Sequence, residues 1–198
     1  LLLKPEKSSQ IQNKLVSDIS MSVDECIGYP ATYEYCKNSV ERTLRWAKRG
    51  KDVFNNPNQS LFGIVQGGEY EDLRKHCVEE LVKMDFDGYS IGGTSVGEDK
   101  KTQYKMVRYA TSYLPKDKIR YLMGVGDPID IVENVCNGID IFDCVSPTRL
   151  ARHGHALTRF GKINIKNAKY KEDFTPIEDA CTCYACQNYT KAYIKHLI

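Results

Sequence analysis

"LFGIVQGGEYEDLRKHCVEELVKMDFDGYSIGG", residues 61–93, decides the fold class. It opens with an apolar run interrupted by one glycine and ending on Gln66 and a glycine pair. That is the pattern of a short strand buried on both faces. The middle places Leu73, Cys77, Leu81 and Met84 at helical spacing, so a helix over residues 70–84 has one apolar face. The end, "DGYSIGG", is a second short strand that again stops at two glycines, Gly92 and Gly93. Strand, amphipathic helix and strand in succession make a βαβ unit, whose two strands run parallel.

The alternation extends both ways. Upstream, "PEKSSQIQNKL" predicts a helix beginning at Pro5, because proline suits the first helical position. "DISMSVDE" predicts a strand ending at Asp24. "TYEYCKNSVERTLRWAKRG" predicts a helix with Val40, Leu44 and Trp46 inside, a basic last turn and a stop at Gly50. Downstream, "DKKTQYKMVRYATSYL" is a helix and "RYLMGVG" a strand. "PIDIVENVCNG" is a helix from Pro128 to a stop at Gly138, and "IDIFDCV" a strand that delivers Asp143. Five strands alternating with helices give an α/β fold with a parallel sheet.

Each strand ends in polar or glycine punctuation: Asp24, Gln66, Gly92-Gly93, Gly124-Val125-Gly126 and Asp143. In a (β/α)8 TIM barrel that end carries the chemistry. A complete barrel takes ~250 residues, so 198 residues with five units read as the later part of one, with N-terminal strands missing. The chain begins without Met, and we expect more protein upstream.

Composition, 41% hydrophobic and 27% charged, fits a globular protein. No apolar run approaches the ~20 residues of a membrane span, and "LLLKPEKSS" lacks the shape of a signal peptide. No membrane partner is therefore expected. The pattern changes after Val145. "HALTRFGKINIKN" predicts a hairpin turning at Phe160-Gly161, "KEDFTPIED" a polar loop, and "CTCYAC" leads into a helix. We expect two domains: residues 1–148 from the barrel, and residues 149–198 as a basic hairpin with a small metal-binding subdomain.

From Arg149 to Lys171 there are seven Lys/Arg and no Asp or Glu. A one-signed run beside a candidate carboxylate favours a polyanion, most naturally nucleic acid. Of eight cysteines, Cys26, Cys36, Cys77, Cys136 and Cys144 read as buried small hydrophobes. Cys181, Cys183 and Cys186 are crowded as Cys-x-Cys-x2-Cys, which suits tetrahedral zinc better than packing. His196 reads as an exposed helix residue, so the fourth ligand is expected beyond Ile198. Asp24 and Gln66 at neighbouring strand ends offer acceptors and a donor, as needed to read the edge of a purine-like base.

"FGIVQGGEYEDLR", "GYSIGGTSVGE", "YLMGVGDP", "IDIFDCVSPTRLARHGHA", "INIKNAKYKEDF" and "CTCYAC" together resemble the bacterial tRNA-guanine transglycosylases, over nearly the whole chain. That resemblance implies a barrel with a zinc-binding insertion. It also implies exchange of guanine at the wobble position (34) of tRNAs with GUN anticodons (Asp, Asn, His, Tyr) for a 7-deazaguanine base, on the route to queuosine. It makes Asp143 the nucleophile that attacks C1′ of the ribose, with Asp24, Gln66, Gly93 and Thr94 around the base. It assigns RNA contacts to Gly124, Val125, Gly126, Asp127, Pro128, Ile129 and Asp130, and to Thr148, Arg149, Leu150, Ala151 and Arg152. It makes Cys181, Cys183 and Cys186 ligands of a structural Zn2+. It implies tRNA and a free base as partners, a homodimer and a cytoplasmic location. Two departures are visible. The Asp-Ser-Gly-Gly segment of the family, whose Asp handles protons, and its downstream zinc-binding histidine do not occur in this chain. Thr94 stands where bacterial relatives usually carry Leu, and Val96 where eukaryotic ones carry Gly. The competing expectation is a non-catalytic RNA-binding subunit of the same fold, for which Asp143 would be superfluous.

Overall fold

The computed structural model describes residues 3–198. It divides into two compact units, one ending at Asp143 and one spanning residues 144–198. In chain order the first unit is α1 (Pro5–Leu15), β1 (Ile19–Met21), α2 (Tyr33–Val53), β2 (Ser60–Val65), α3 (Glu71–Lys83), β3 (Gly88–Ile91), α4 (Lys100–Thr111), β4 (Ile119–Leu122), α5 (Pro128–Cys136) and β5 (Ile141–Phe142). The strands pair in sequential order, and every pair is parallel. A doubly wound sheet would reverse its strand order at a switch point; this one does not. Successive helices α2 to α5 pack against one another. The unit is thus a parallel wall of the (β/α)8 kind, curled as part of a barrel.

Local chemistry explains the helix starts. Thr32 accepts from the Tyr35 N–H at 3.3 Å, and Asp99 from the Thr102 N–H at 2.9 Å. Asp127 accepts from the Ile129 N–H at 3.2 Å, with Pro128 behind it. Each satisfies an amide that the first turn leaves without a partner. The core lies between sheet and helices. Leu61, Val65, Tyr89 and Ile91 from the strands meet Val40, Leu44, Ala47, Cys77, Val78, Leu81, Val107 and Ala110 from the helices. The two-residue period turns Phe62, Ile64 and Gln66 to the opposite face. There Gly88 and Gly92 leave room for them: a Cβ on Gly88 would lie 2.4 Å from the Phe62 ring, and one on Gly92 2.6 Å from Gln66 Nε2.

The second unit is α6 (Ser146–Arg152), β6 (His155–Thr158), β7 (Gly161–Asn164), a 3-10 turn (Ala168–Tyr170), α7 (Tyr184–Asn188) and α8 (Lys191–Leu197). β6 and β7 form the antiparallel hairpin. Its own small core is Ile165 and Tyr170. Asp173 ties the polar loop to α8, pairing with Lys191 Nζ at 3.2 Å while its carbonyl accepts the Ala192 N–H.

Several expectations need correction. Gly50 does not stop α2, which continues to Val53. It is a buried close-approach point where a Cβ would meet Ser9 Oγ of α1 at 2.9 Å. The inner face of α2 is Cys36, Ser39, Val40, Thr43, Leu44 and Ala47, and Trp46 is only half-buried beside it. β1 ends three residues before Asp24, and β5 spans two residues only. Cys36 and Cys77 are buried as expected, but Cys26 and Cys136 are exposed and Cys144 half-buried. The hairpin turns at Arg159-Phe160, because Thr158 pairs with Gly161. The last segment is two short helices rather than one. The units divide at Asp143/Cys144, so α6, with Thr148, belongs to the second unit.

Candidate active site

All five strands run parallel, so the segments leaving their C-terminal ends gather along one edge. Gln66 follows β2 directly and is fully buried. Its Nε2 donates to Asp24 Oδ2 at 2.5 Å. Its Oε1 is buried and has no partner, and the same holds for Thr94 Oγ1. Buried polar atoms are nearly always paired, so two open ones next to Gly92-Gly93 mark a place for a polar ligand. Gly93 has φ +62°, and a Cβ there would lie 2.4 Å from Gln66 Oε1. A side chain would therefore be both strained and in collision. Burial holds the Asp24 carboxyl above its ordinary value, while the Gln66 amide works against that shift.

Asp143 leaves β5 exposed. Its Oδ1 accepts two hydrogen bonds, from Tyr121 Oη at 2.6 Å and from the Gly124 N–H at 2.7 Å. Burial, then the Asp143 hydrogen bond, pushes the Tyr121 phenol well above its ordinary value, so it stays a donor. Among the described residues nothing donates to Oδ2. One oxygen is clamped and the other is left free, which is how a carboxylate is aimed for attack.

Beyond β3 the Glu98 carboxylate accepts the Ser95 and Val96 N–H groups at 2.5 and 2.9 Å. Hollows of about 400 Å³ beside α1 and about 430 Å³ in the second unit contain none of these residues. A wall of five strands presents its site as an open edge rather than as an enclosed cavity.

The segment of residues 124–130 behaves unevenly. Gly124, Asp127, Pro128 and Ile129 are exposed and Gly126 half-buried. Val125 is in the core, and Asp130 is buried, accepting from Tyr104 Oη at 2.7 Å and pairing with Lys100 Nζ. Placed so, the side chains of Val125 and Asp130 hold the loop from inside. In the second unit Thr148, Arg149, Ala151 and Arg152 are exposed on α6 and Leu150 is half-buried. Arg149 and Arg152, three residues apart, share a helix face. Among the described residues neither pairs with a carboxylate. Arg159 does, with Glu178. Residues 144–198 hold nine Lys/Arg against four Asp/Glu, leaving nineteen against twenty-two for residues 1–143.

The Sγ atoms of Cys181, Cys183 and Cys186 lie within 4.8 Å of one another. Tetrahedral zinc with Zn–S of about 2.3 Å sets its sulfurs roughly 3.8 Å apart, inside that limit, so these residues fit the ion. The Cys186 backbone N–H, donating to the Cys183 sulfur, holds that thiol below its ordinary value, towards the thiolate a metal requires. His196 is not part of the cluster.

A family model described as queuine tRNA-ribosyltransferase matches residues 1–198. The chain belongs to the queuine tRNA-ribosyltransferase family. Relatives of that name include one from Thermoanaerobacter sp. (strain X514), 59% identical over 194 residues, and one from Caldanaerobacter subterraneus subsp. tengcongensis, 57% identical over 194 residues, each alignment covering 98% of this chain. Another, from Staphylococcus aureus (strain JH9), is 57% identical over 199 residues, covering all of this chain. Each alignment covers 52% of the relative, so the chain spans about half the length of the curated relatives it matches.

The first unit brings Asp24, Gln66, Gly93 and Thr94 together, and separately clamps Asp143. Three residues that contact the strand-end segments escaped sequence reasoning. Tyr121 is hidden within a strand, Glu98 within a turn, and Arg74 lies on the buried face of α3. Arg74 alone left a signal: a cation between Leu73 and Cys77 on an otherwise apolar stripe.

Proposed function

We propose that this chain carries the base-exchange site of a tRNA-guanine transglycosylase. The observation that carries the reading is the Asp143 carboxylate with one oxygen held and one free, on the strand edge that also bears the buried Asp24–Gln66 pair. Asp143 Oδ2 attacks C1′ of the ribose at the wobble position of a GUN anticodon. As the C–O bond forms, the C1′–N9 bond breaks and guanine leaves with the electron pair, taking up a proton. The transition state resembles an oxocarbenium ion, which a carboxylate stabilises. A 7-deazaguanine then bonds C1′ through N9 as it loses its proton, and the Asp143 ester bond breaks. Tyr121 and the Gly124 N–H steady the carboxylate through both steps.

Asp24, Gln66 and the Gly93 N–H read the base edge, and the target base leaves its stack to reach them. Thr94 places a hydroxyl beside it, which favours the small precursor base with improved tolerance for queuine. Arg149 and Arg152 hold the RNA backbone, as do the exposed residues around Gly124 and Asp127. Cys181, Cys183 and Cys186, with a fourth ligand, hold one Zn2+ that braces the second unit. The active species is a cytoplasmic homodimer. No helix among the described residues is long and apolar enough to cross a membrane.

The test uses the full-length protein. Asp143→Asn abolishes guanine exchange and the denaturant-resistant protein–tRNA adduct that the wild type forms, because an amide cannot make the ester-like bond. An Asn variant that still traps RNA covalently overturns the assignment.

A further inference from the structure

Arg74 is fully buried, and the reaction just described does not use it. Its guanidinium meets no carboxylate among the described residues. All its partners are backbone carbonyls. Nε donates to Gly68 O at 2.6 Å, Nη1 and Nη2 donate to Gly92 O at 3.3 Å each, and Nη2 donates to Gly93 O at 3.4 Å. Burial lowers its pKa to about 10, so the group remains a cation at neutral pH. A buried cation paired only with carbonyl dipoles is costly unless its geometry matters.

The three carbonyls lie in the two turns that leave β2 and β3, and these turns flank Gln66. A trans peptide points its C=O and the following N–H in opposite directions. Pulling Gly92 O inward onto Arg74 therefore turns the Gly93 N–H away from Arg74, to the side where Cys26 and Asp24 lie. The Gly93 N–H accordingly approaches the Cys26 sulfur. The Gln66 backbone N–H is anchored on the same inner side, donating to Cys77 Sγ at 3.4 Å.

We propose that Arg74 is a positioning residue that fixes the two glycine turns and aims the Gly93 N–H at the exocyclic oxygen of the bound base. It thereby sets the preference for a base carrying C=O over one carrying an amine at that position. The proposal rests on the base-exchange reading of the site. A planar five-donor fork can span two turns at once; a lysine point charge cannot.

The experiment measures exchange into tRNA by the full-length enzyme, with guanine and with 2,6-diaminopurine, for the wild type, Arg74→Lys and Arg74→Met. The expected result is a KM for guanine raised at least tenfold in both variants, a KM for tRNA within twofold of wild type, and a collapsed preference for guanine over 2,6-diaminopurine. A lower Tm with the preference intact means a merely structural role and overturns the proposal. A second measurement does not depend on the variants folding: in the wild type, saturating guanine slows hydrogen exchange of the Gly93 amide. An unchanged rate overturns the proposal. A wild-type enzyme that exchanges no guanine overturns the reading of the site itself.

Discussion

Asp24 shows how a single side chain can work against the fold that houses it. Its carboxyl sits above the ordinary value chiefly through burial, so over a window of pH above that value the folded protein holds a proton that the unfolded chain has released. Between the ordinary carboxylate value, about 4, and the raised one, stability falls as pH rises, and above the raised value the penalty is complete. Asp24→Asn therefore melts higher than wild type at pH 8, and the gain shrinks to nothing as pH drops towards 4; thermal melts across that range check it. The same change removes a charged acceptor from the base, and a charge-assisted hydrogen bond of about 1.5–3 kcal/mol corresponds to a KM for guanine raised roughly tenfold to a hundredfold. The residues legible in the sequence, Asp24, Gln66, Gly93 and Asp143, all sit where a strand gives way to polar or glycine punctuation. Tyr121 and Glu98 were not legible, and Arg74 only as a cation on an apolar stripe, because their partners come from what the fold sets opposite them. The burial of Asp130 was hidden for the same reason: its partners, Tyr104 and Lys100, come from another helix.

At the scale of elements the βαβ rhythm was plain, since hydrophobic period and helix caps are local properties. Contacts between elements were not. Gly50 has the look of a terminator after a basic turn, yet α1 crosses α2 there, with Ser9 Oγ against the glycine. Only the absence of a side chain permits that approach. Gly50→Leu overpacks the crossing and costs about 1–3 kcal/mol, readable as a lower midpoint in urea unfolding with an unchanged slope. Gly50→Ala costs less, and Ser9→Ala in the same chain restores most of the deficit, because the hydroxyl is the atom in the way. The shortness of β1 and β5 was likewise invisible, because pairing with a single neighbour, rather than propensity, sets where a strand stops.

Across the whole molecule charge is divided: the second unit is basic and the first slightly acidic. On the proposed reading, the electrostatic hold on RNA falls to the second unit. Replacing Arg149 and Arg152 together by Ala weakens tRNA binding and lowers the slope of log K against log salt by about 2, roughly one for each phosphate no longer neutralised; filter binding at several salt concentrations measures it. The change of pattern after Val145 is the sequence signal nearest the division into two units at Asp143/Cys144; the expected boundary at 148/149 runs through α6. The parallel sheet has a further consequence. Among the described residues β1 is paired only with β2, and β5 only with β4, so each outer strand keeps a row of backbone amides and carbonyls with no described strand beside it. Such rims are templates for foreign strands. Expressed as these 198 residues alone, the protein scatters light increasingly with concentration as copies zip rim to rim. Supplied with strands that fit both rims, it stays clear: like a zip already meshed, a paired rim has nothing left to catch.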